Sequence, residues 1–167
     1  APSEPAPSEP APSEPAPPAD DAAAVPEGYQ LYEDQTGFSV AVPQGWTAER
    51  DGPRVQFTDP ASSRFLRIDQ TDTPQADPVA DWERQEESVS QRLPNYERIS
   101  IEAVEYRDYD AADWKFTFGE EGTTQVLSRN MITAPDQAYA LYWSTPESEY
   151  DEALGTFEVI ANTFMPG

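Results

Sequence analysis

Carboxylates are the one abundant class of side chain in this sequence that is typical of acid–base or nucleophilic catalysis. The chain has 32 aspartate and glutamate residues, but no histidine and no cysteine. A Ser–His–Asp triad, a Cys–His pair, and imidazole or thiolate metal sites are therefore excluded. Two opposed carboxylates suffice for glycoside hydrolysis, yet a chain this acidic forms such pairs by chance. The sequence favours a non-enzymatic domain without a cofactor. A carboxylate-dependent hydrolase is the weakest of the three functions considered, behind the two non-enzymatic ones given below.

One group of aspartates is a weak candidate for calcium. Asp108, Asp110 and Asp113 fall within six residues on a predicted hairpin loop, and calcium prefers clustered oxygen ligands. The spacing lacks the remainder of an EF-hand loop, and aspartate is also common in turns for purely local reasons. We therefore assign no confident metal site and no catalytic residue.

Aromatic residues divide by their position in the predicted strands. Those that alternate within a strand are assigned to the core: Trp114, Phe116, Phe118 and Trp143. Tyrosines near strand ends are the better candidates for ligand contact, since an exposed ring can stack on a glycan or a peptide. They are Tyr29, Tyr32, Tyr106 and Tyr109.

The elements that must position these residues follow from hydrophobic periodicity. Alternation predicts four short strands near residues 30–32, 38–42, 55–57 and 66–68. A helix over 78–93 follows, with Asp77 as N-cap and Pro94 as its end. Four longer strands come next, with a bulge predicted where the apolar phase slips between Ala103 and Val104. A final amphipathic helix begins after Pro146.

This order predicts an α+β fold. Short turns between strands favour an antiparallel β-sheet of about six to eight strands, and two amphipathic helices must cover its apolar faces. We expect the C-terminal helix to be the larger cover.

The chain divides by composition into a tether and one domain. Residues 1–27 repeat APSEP and hold half of the 18 prolines, which favours a disordered, extended chain reaching up to roughly 80 Å at about 3 Å per residue. Residues 28–167 are enough for a single α+β domain with a real core.

The net charge of −22 restricts the partners. So negative a surface repels phosphate backbones and anionic lipid headgroups, which argues against nucleic acid and direct membrane binding. No apolar run approaches 18 residues, so this segment predicts no membrane insertion. Cations, basic peptides and neutral ligands such as glycans remain, and the acidity is also compatible with solubility or adaptation to salt.

Several short motifs carry a family resemblance that covers nearly all of residues 29–166. They are Tyr32–Asp34, Gly37–Val40, Val42–Trp46, Val104–Arg107, Asp110–Trp114, Arg129, Ala138–Trp143, Pro146 and Phe164–Pro166. Together they resemble the extracytoplasmic C-terminal domain that follows a transmembrane helix in many actinobacterial serine/threonine protein kinases and related proteins. Kinase residues of such proteins lie in a separate cytoplasmic domain, so no catalytic residue carries over.

The resemblance implies a PsbP-like α/β/α sandwich and an extracytoplasmic location, membrane-anchored through an upstream segment. It implies a non-enzymatic sensor or interaction domain, tethered by the proline-rich linker and serving as the ectodomain of a kinase. The alternative is a free-standing secreted or lipid-anchored binding protein of the same fold. The partner would be an unknown external ligand, a cell-wall component or a protein.

Overall fold

The computed structural model describes residues 25–120 and 123–167. The predicted tether, residues 1–27, lies almost wholly outside the described residues. Nine strands and two α-helices make up the described chain. They are β1 (Tyr29–Glu33), β2 (Ser39–Pro43), β3 (Thr47–Asp51), β4 (Arg54–Thr58), β5 (Phe65–Thr71), α1 (Pro78–Arg92), β6 (Glu97–Tyr106), β7 (Tyr109–Phe118), β8 (Thr124–Ala134), β9 (Gln137–Pro146) and α2 (Tyr150–Thr163).

Seven of these strands form one antiparallel sheet in the order β3-β4-β5-β9-β8-β7-β6. β3 to β5, before α1, and β6 to β9, after it, each form a meander, and the two meanders join where β5 pairs with β9. β1 and β2 form a separate antiparallel hairpin. Two helices over an antiparallel sheet confirm the α+β prediction.

The two faces of the large sheet carry two separate hydrophobic clusters. The larger cluster lies between the sheet, the β1–β2 hairpin and α2, and includes Phe38, Trp143 and Phe157. The smaller one lies under α1 and is built on Trp82 and Trp114. The C-terminal helix is therefore part of the larger cover, as the apolar stripe of residues 150–164 predicts.

Helix α1 begins and ends where the sequence predicts. The Asp77 carboxylate accepts hydrogen bonds from the backbone N–H of Val79 and Ala80 at 3.0 and 3.4 Å, which satisfies donors that have no partner inside the helix. Pro78 occupies the first turn, where its missing N–H costs nothing. Helix α2 starts later than predicted, because a 3-10 turn over Glu147–Glu149 precedes it.

Two strand predictions are wrong. β3 was not expected: all five of its residues are exposed, so an edge strand of this kind has no apolar alternation. The predicted bulge at Ala103 and Val104 is absent, because Ala103 and Val104 pair in regular succession with Ala112 and Ala111. The apolar phase changes there because Ile101 packs under α1 whereas Val104 packs in the larger cluster. The irregularity in β6 lies instead between Arg98 and Ser100.

Candidate ligand-binding groove

Helix α1 covers only part of its face of the sheet. It packs against β6, β7 and the neighbouring part of β8. Ala140 and Tyr142 on β9 lie at the border of its hydrophobic cluster, and the same face of β5 and β4 extends beyond it. The step between the helix and the open sheet is a groove of about 710 Å³. Sites for small molecules typically measure about 300–1,000 Å³, so the groove is large enough for one.

The floor of the groove belongs to a row of neighbouring residues across five strands, and four of these residues line the groove: Arg67, Tyr142, Ser128 and Trp114. Strand pairing places Gln56 beside Arg67, Arg67 beside Tyr142, Tyr142 beside Ser128, and Ser128 beside Trp114. Directly paired residues project from the same face of a sheet. The row therefore runs from β4, next to the edge strand β3, to the tryptophan that packs under α1.

The wall of the groove is α1, and its N-terminal half is held to the sheet by two hydrogen bonds and by the packing of one indole ring. The Asn130 side chain donates to the backbone carbonyl of Pro78 at 3.2 Å and accepts from the N–H of Ala112 at 3.1 Å. The Trp82 indole donates to the Ala112 carbonyl at 3.2 Å and packs on Trp114, with ring centroids 5.3 Å apart. The helix position relative to β7 and β8 is thus fixed at its N-terminal half.

Positive charge is concentrated in this groove. Four of the chain's ten basic residues line it, and only two acidic residues do. The basic residues are Arg54, Arg67, Arg84 and Arg92; the acidic residues are Asp69 and Asp81. Each aspartate is already paired: Asp69 with Arg54 at 3.3 Å and Asp81 with Arg84 at 2.5 Å.

The other two arginines differ from these pairs. In the part of the chain that the structure describes, neither Arg67 nor Arg92 has a carboxylate within 4.0 Å. The Arg67 guanidinium lies over the Tyr142 ring, 4.3 Å from its centroid, a cation–π contact. Burial is the main cause that lowers the pKa of Arg67, and the cations Arg54 and Arg92 lower it further. An arginine nonetheless stays charged.

The calcium candidates do not come together around one point. Asp108 lies in the β6–β7 turn, and Asp110 is exposed on β7. Asp113 is 7% exposed and is occupied by Arg129, whose Nε lies 2.7 Å from Oδ1. Because Asp110 and Asp113 are three residues apart on a regular strand, they project from opposite faces. No group of three or more potential ligands for a metal ion occurs within residues 25–120 and 123–167. Calcium binding by Asp108 and Asp110 stays a prediction.

The tyrosine candidates lie away from the groove. Tyr106 is only 6% exposed, because its ring packs in the larger cluster and its hydroxyl donates to the Ala161 carbonyl at 2.6 Å. The expectation that Tyr106 is exposed is therefore wrong. Tyr32 and Tyr109 are half-buried against the same cluster, and Tyr29 is half-buried at the start of β1. Ligand contact by Tyr29, Tyr32 and Tyr109 stays a prediction.

Sequence reasoning missed the groove, although β5 contains a usable signal. Leu66 and Ile68 alternate with Arg67 and Asp69, so one face of this strand is apolar and the other is charged. A strand in the middle of a sheet covered on both faces would be apolar throughout. The charged face of β5 thus indicates that its side of the sheet is left open.

No described residue belongs to a helix long and apolar enough to cross a membrane. By sequence, none of the curated proteins matches this chain.

Solved structures with this fold come from distant organisms. Cyanobacterial PsbP from Synechocystis sp. aligns with a TM-score of 0.68 at 19% identity, covering 84% of this chain and 93% of that one. The Ran-binding protein Mog1p of Saccharomyces cerevisiae aligns with a TM-score of 0.61 at 10% identity, covering 81% and 94%. LpqN of Mycobacterium tuberculosis, a protein involved in cell envelope biogenesis, aligns with a TM-score of 0.55 at 13% identity, covering 83% and 91%.

These likenesses establish the fold, which is that of PsbP. The family is established by sequence, because residues 30–166 match one family model. That match runs from within β1 to beyond the end of α2 and includes every residue of the groove. The chain therefore belongs to the serine/threonine kinase C-terminal domain family.

Proposed function

We propose that this chain is a non-enzymatic, extracytoplasmic sensor domain, tethered to the membrane by its proline-rich N-terminal segment and serving as the receptor part of a serine/threonine kinase. The observation that carries the proposal is the groove between α1 and the open half of the sheet. Its size suits a small molecule or one segment of a polymer, and Arg67 and Tyr142, which contact each other, both line it.

The groove is equipped for binding more than for catalysis. The chain has neither histidine nor cysteine, and both aspartates that line the groove are paired with arginines. General acid–base catalysis needs a group within reach of the substrate whose proton can be exchanged near the working pH. Arginine is always charged and so cannot serve.

An extracytoplasmic location agrees with three observations. The family is one of kinase C-terminal domains. The sequence motifs of this chain resemble those of actinobacterial domains that lie outside the cytoplasm. LpqN, which has the same fold, is involved in cell envelope biogenesis. The composition of residues 1–27 also suits a spacer between a membrane and a domain. Ligand binding would then act by changing the position or the association of the domain, since a flexible spacer transmits no rigid twist.

The location is tested by expressing the protein with its natural upstream sequence in its own host. Intact cells are treated with a protease that cannot cross the membrane, and the domain is followed with an antibody. The proposal expects cleavage on intact cells together with protection of a cytoplasmic marker. Protection of the domain until the cells are lysed would overturn it, and release into the medium would favour the free-standing alternative.

The sensor role is tested by co-sedimentation of the full chain with purified envelope fragments. Ala140→Phe places a large ring on the groove floor, at a half-buried position between Asp69 and Asn130. Ala48→Phe on the exposed edge strand β3 is the matched control. Sedimentation that is lost in Ala140→Phe and retained in Ala48→Phe supports a ligand in the groove, whereas sedimentation that Ala140→Phe leaves unchanged contradicts it.

A further inference from the structure

We infer that the groove recognises an oxyanion on its ligand, a carboxylate or a phosphate, with Arg67 as the anchor and Arg92 as a second contact at the rim. This inference rests on the proposed function, since it names the chemistry of the ligand for the same groove. It runs against the expectation from net charge, which favours cations, basic peptides and neutral glycans.

The first argument is the distribution of charge. The chain as a whole carries −22, yet the groove holds four arginines against two aspartates. If the arginines served only to balance the acidic surface, they would be spread among the carboxylates. Instead, two remain without a carboxylate partner among the described residues, on facing sides of one groove. Arg67 lies on the sheet and Arg92 in the last turn of α1.

The second argument is the state of the Arg67 side chain. It is half-buried and lies over the Tyr142 ring, which in turn stacks on Phe65 with centroids 5.9 Å apart. A guanidinium offers five N–H donors in a planar fork that fits two oxygens of a carboxylate or phosphate. Within the described chain, its donors meet no protein acceptor. The flat face of the guanidinium is therefore held against the Tyr142 ring, while the N–H groups along its edge are left to donate to a ligand.

The third argument concerns range. Repulsion from the acidic surface opposes an approaching anion, but at physiological ionic strength charges more than about 8 Å apart are largely screened. Contacts inside the groove lie within that distance and in a partly desolvated place, where a charge-assisted, bidentate hydrogen bond is stronger than on an open surface. Local attraction therefore prevails once the oxyanion has entered, and the net charge mainly slows its arrival.

The test is a titration of the full, nitrogen-15-labelled chain with inorganic pyrophosphate and, separately, with citrate. Ionic strength is held constant with sodium chloride, so that general screening does not change. These probes represent the phosphate and carboxylate classes, and amide and arginine Nε–H signals report where each one binds. We expect saturable shifts confined to β5, β9 and α1, with a Kd on the order of 1 mM, which corresponds to about −4 kcal/mol.

Three variants distinguish recognition from net charge. Arg67→Gln should weaken binding by about tenfold or more, and Arg67→Lys should recover only part of it, because lysine lacks the planar fork. Arg64→Gln is the matched control: it removes the same charge from the same region, at a residue paired with Glu149 outside the groove. Its Kd should stay within about twofold of the unaltered chain, since distant surface charges are screened.

The inference is supported if either probe binds saturably, if Arg67→Gln abolishes that binding, and if Arg64→Gln leaves it unchanged. The probe that binds then gives the class of oxyanion. The absence of saturable shifts up to about 50 mM, which corresponds to less than about −2 kcal/mol of binding, would overturn it. Equal weakening by Arg64→Gln would also overturn it. If Arg67→Gln does not fold, Arg92→Gln at the exposed rim provides the same contrast.

Envelope co-sedimentation separates the two proposals. Envelope binding that persists in Arg67→Gln, with no response to either probe, leaves the sensor role intact and rejects the oxyanion. Binding of a probe without any envelope binding supports the oxyanion and indicates a soluble ligand instead of an envelope component.

Discussion

The guanidinium of Arg129 on β8 and the carboxylate of Asp113 on β7 form a two-bonded pair across neighbouring strands. Nε donates to Oδ1 at 2.7 Å and Nη2 donates to Oδ2 at 2.9 Å. The Arg129 guanidinium also lies 5.2 Å from the ring centre of Tyr106 and 5.4 Å from that of Phe157. Burial alone would lower the pKa of Arg129, but the hydrogen bonds and charge of Asp113 outweigh it and raise that pKa. The pair therefore joins the sheet to α2 through a largely buried cluster.

Asp113→Asn should destabilise the domain strongly. It keeps the shape of the side chain but leaves Arg129 charged and without its counter-ion in a place with little water. Removing one partner of a buried pair typically costs about 3–5 kcal/mol. Urea unfolding of the full chain measures the change in the free energy of unfolding.

Two comparisons make this prediction specific. Arg84→Gln breaks an exposed pair with Asp81 on α1 and should cost less than about 1 kcal/mol. The double variant Asp113→Leu with Arg129→Met should cost less than Asp113→Asn alone, because no charge is left buried. A single variant no worse than Arg84→Gln would show that the pair contributes little.

Asp34 is the centre of a second polar cluster, in the turn after β1. Its carboxylate accepts from the Tyr32 hydroxyl at 2.6 Å and from the N–H and hydroxyl of Thr36 at 2.9 and 2.5 Å, and it pairs with Arg50. Burial alone would raise the pKa of Asp34, but the hydrogen bonds from Thr36, Tyr32 and Arg50 lower it to about 2. The charged form is thus favoured by folding.

This cluster predicts a loss of stability in acid. Because the folded-state pKa lies below the unfolded value of 3.8, the contribution of Asp34 is complete above about pH 5 and is lost as pH falls from 4 towards 2. Asp34→Asn should lower stability at pH 7 and flatten this part of the pH profile. Urea midpoints between pH 2 and 7 test both effects, with the exposed Asp136→Asn as control. A profile for Asp34→Asn parallel to that of the unaltered chain would contradict the prediction.

The sequence predicts well those elements whose signals are local. The bounds of α1 follow from Asp77, Pro78 and Pro94, and the apolar stripe of α2 follows from residues three and four apart. Alternation in β7 identified the core face that carries Trp114. In each case, the residues that decide the structure are near neighbours in the chain, so their spacing alone is sufficient.

What could not be predicted depends on residues far apart in the chain. Arg67 and Tyr142 become neighbours only because β5 pairs with β9, and nothing local to either strand sets that pairing. The exposed edge strand β3 has no apolar period at all. Tyr106 lies near a strand end, yet α2 returns to cover it. Long-range pairing and the position of a covering helix decide all three.

Trp82 should be the residue on which the groove wall depends. It is buried at 5% exposure, packs on Trp114 and donates to the Ala112 carbonyl. Trp82→Ala removes both contacts and should cost about 3–5 kcal/mol. Trp82→Phe keeps most of the packing and should cost clearly less. Hydrogen exchange of the α1 amides reports whether the loss is local, and α1 amides that exchange no faster in Trp82→Ala would contradict this role.

Salt should stabilise the folded domain while it weakens binding in the groove. The net charge of −22 makes acidic side chains repel one another more strongly in the compact state than in the unfolded chain. Raising sodium chloride from about 0.02 to 0.5 M shortens the screening length several-fold. We expect a gain on the order of 1 kcal/mol, or a rise in Tm of roughly 4 °C.

The opposite signs make the two effects separable in one series of measurements. An oxyanion held by Arg67 loses affinity over the same range of salt, because screening weakens its attraction to the guanidinium. Potassium chloride should act as sodium chloride does, since the effect is one of ionic strength and not of a bound ion. A Tm that stays flat or falls would show that the surface charges are already compensated, whereas a difference between the two salts would indicate a specific cation site.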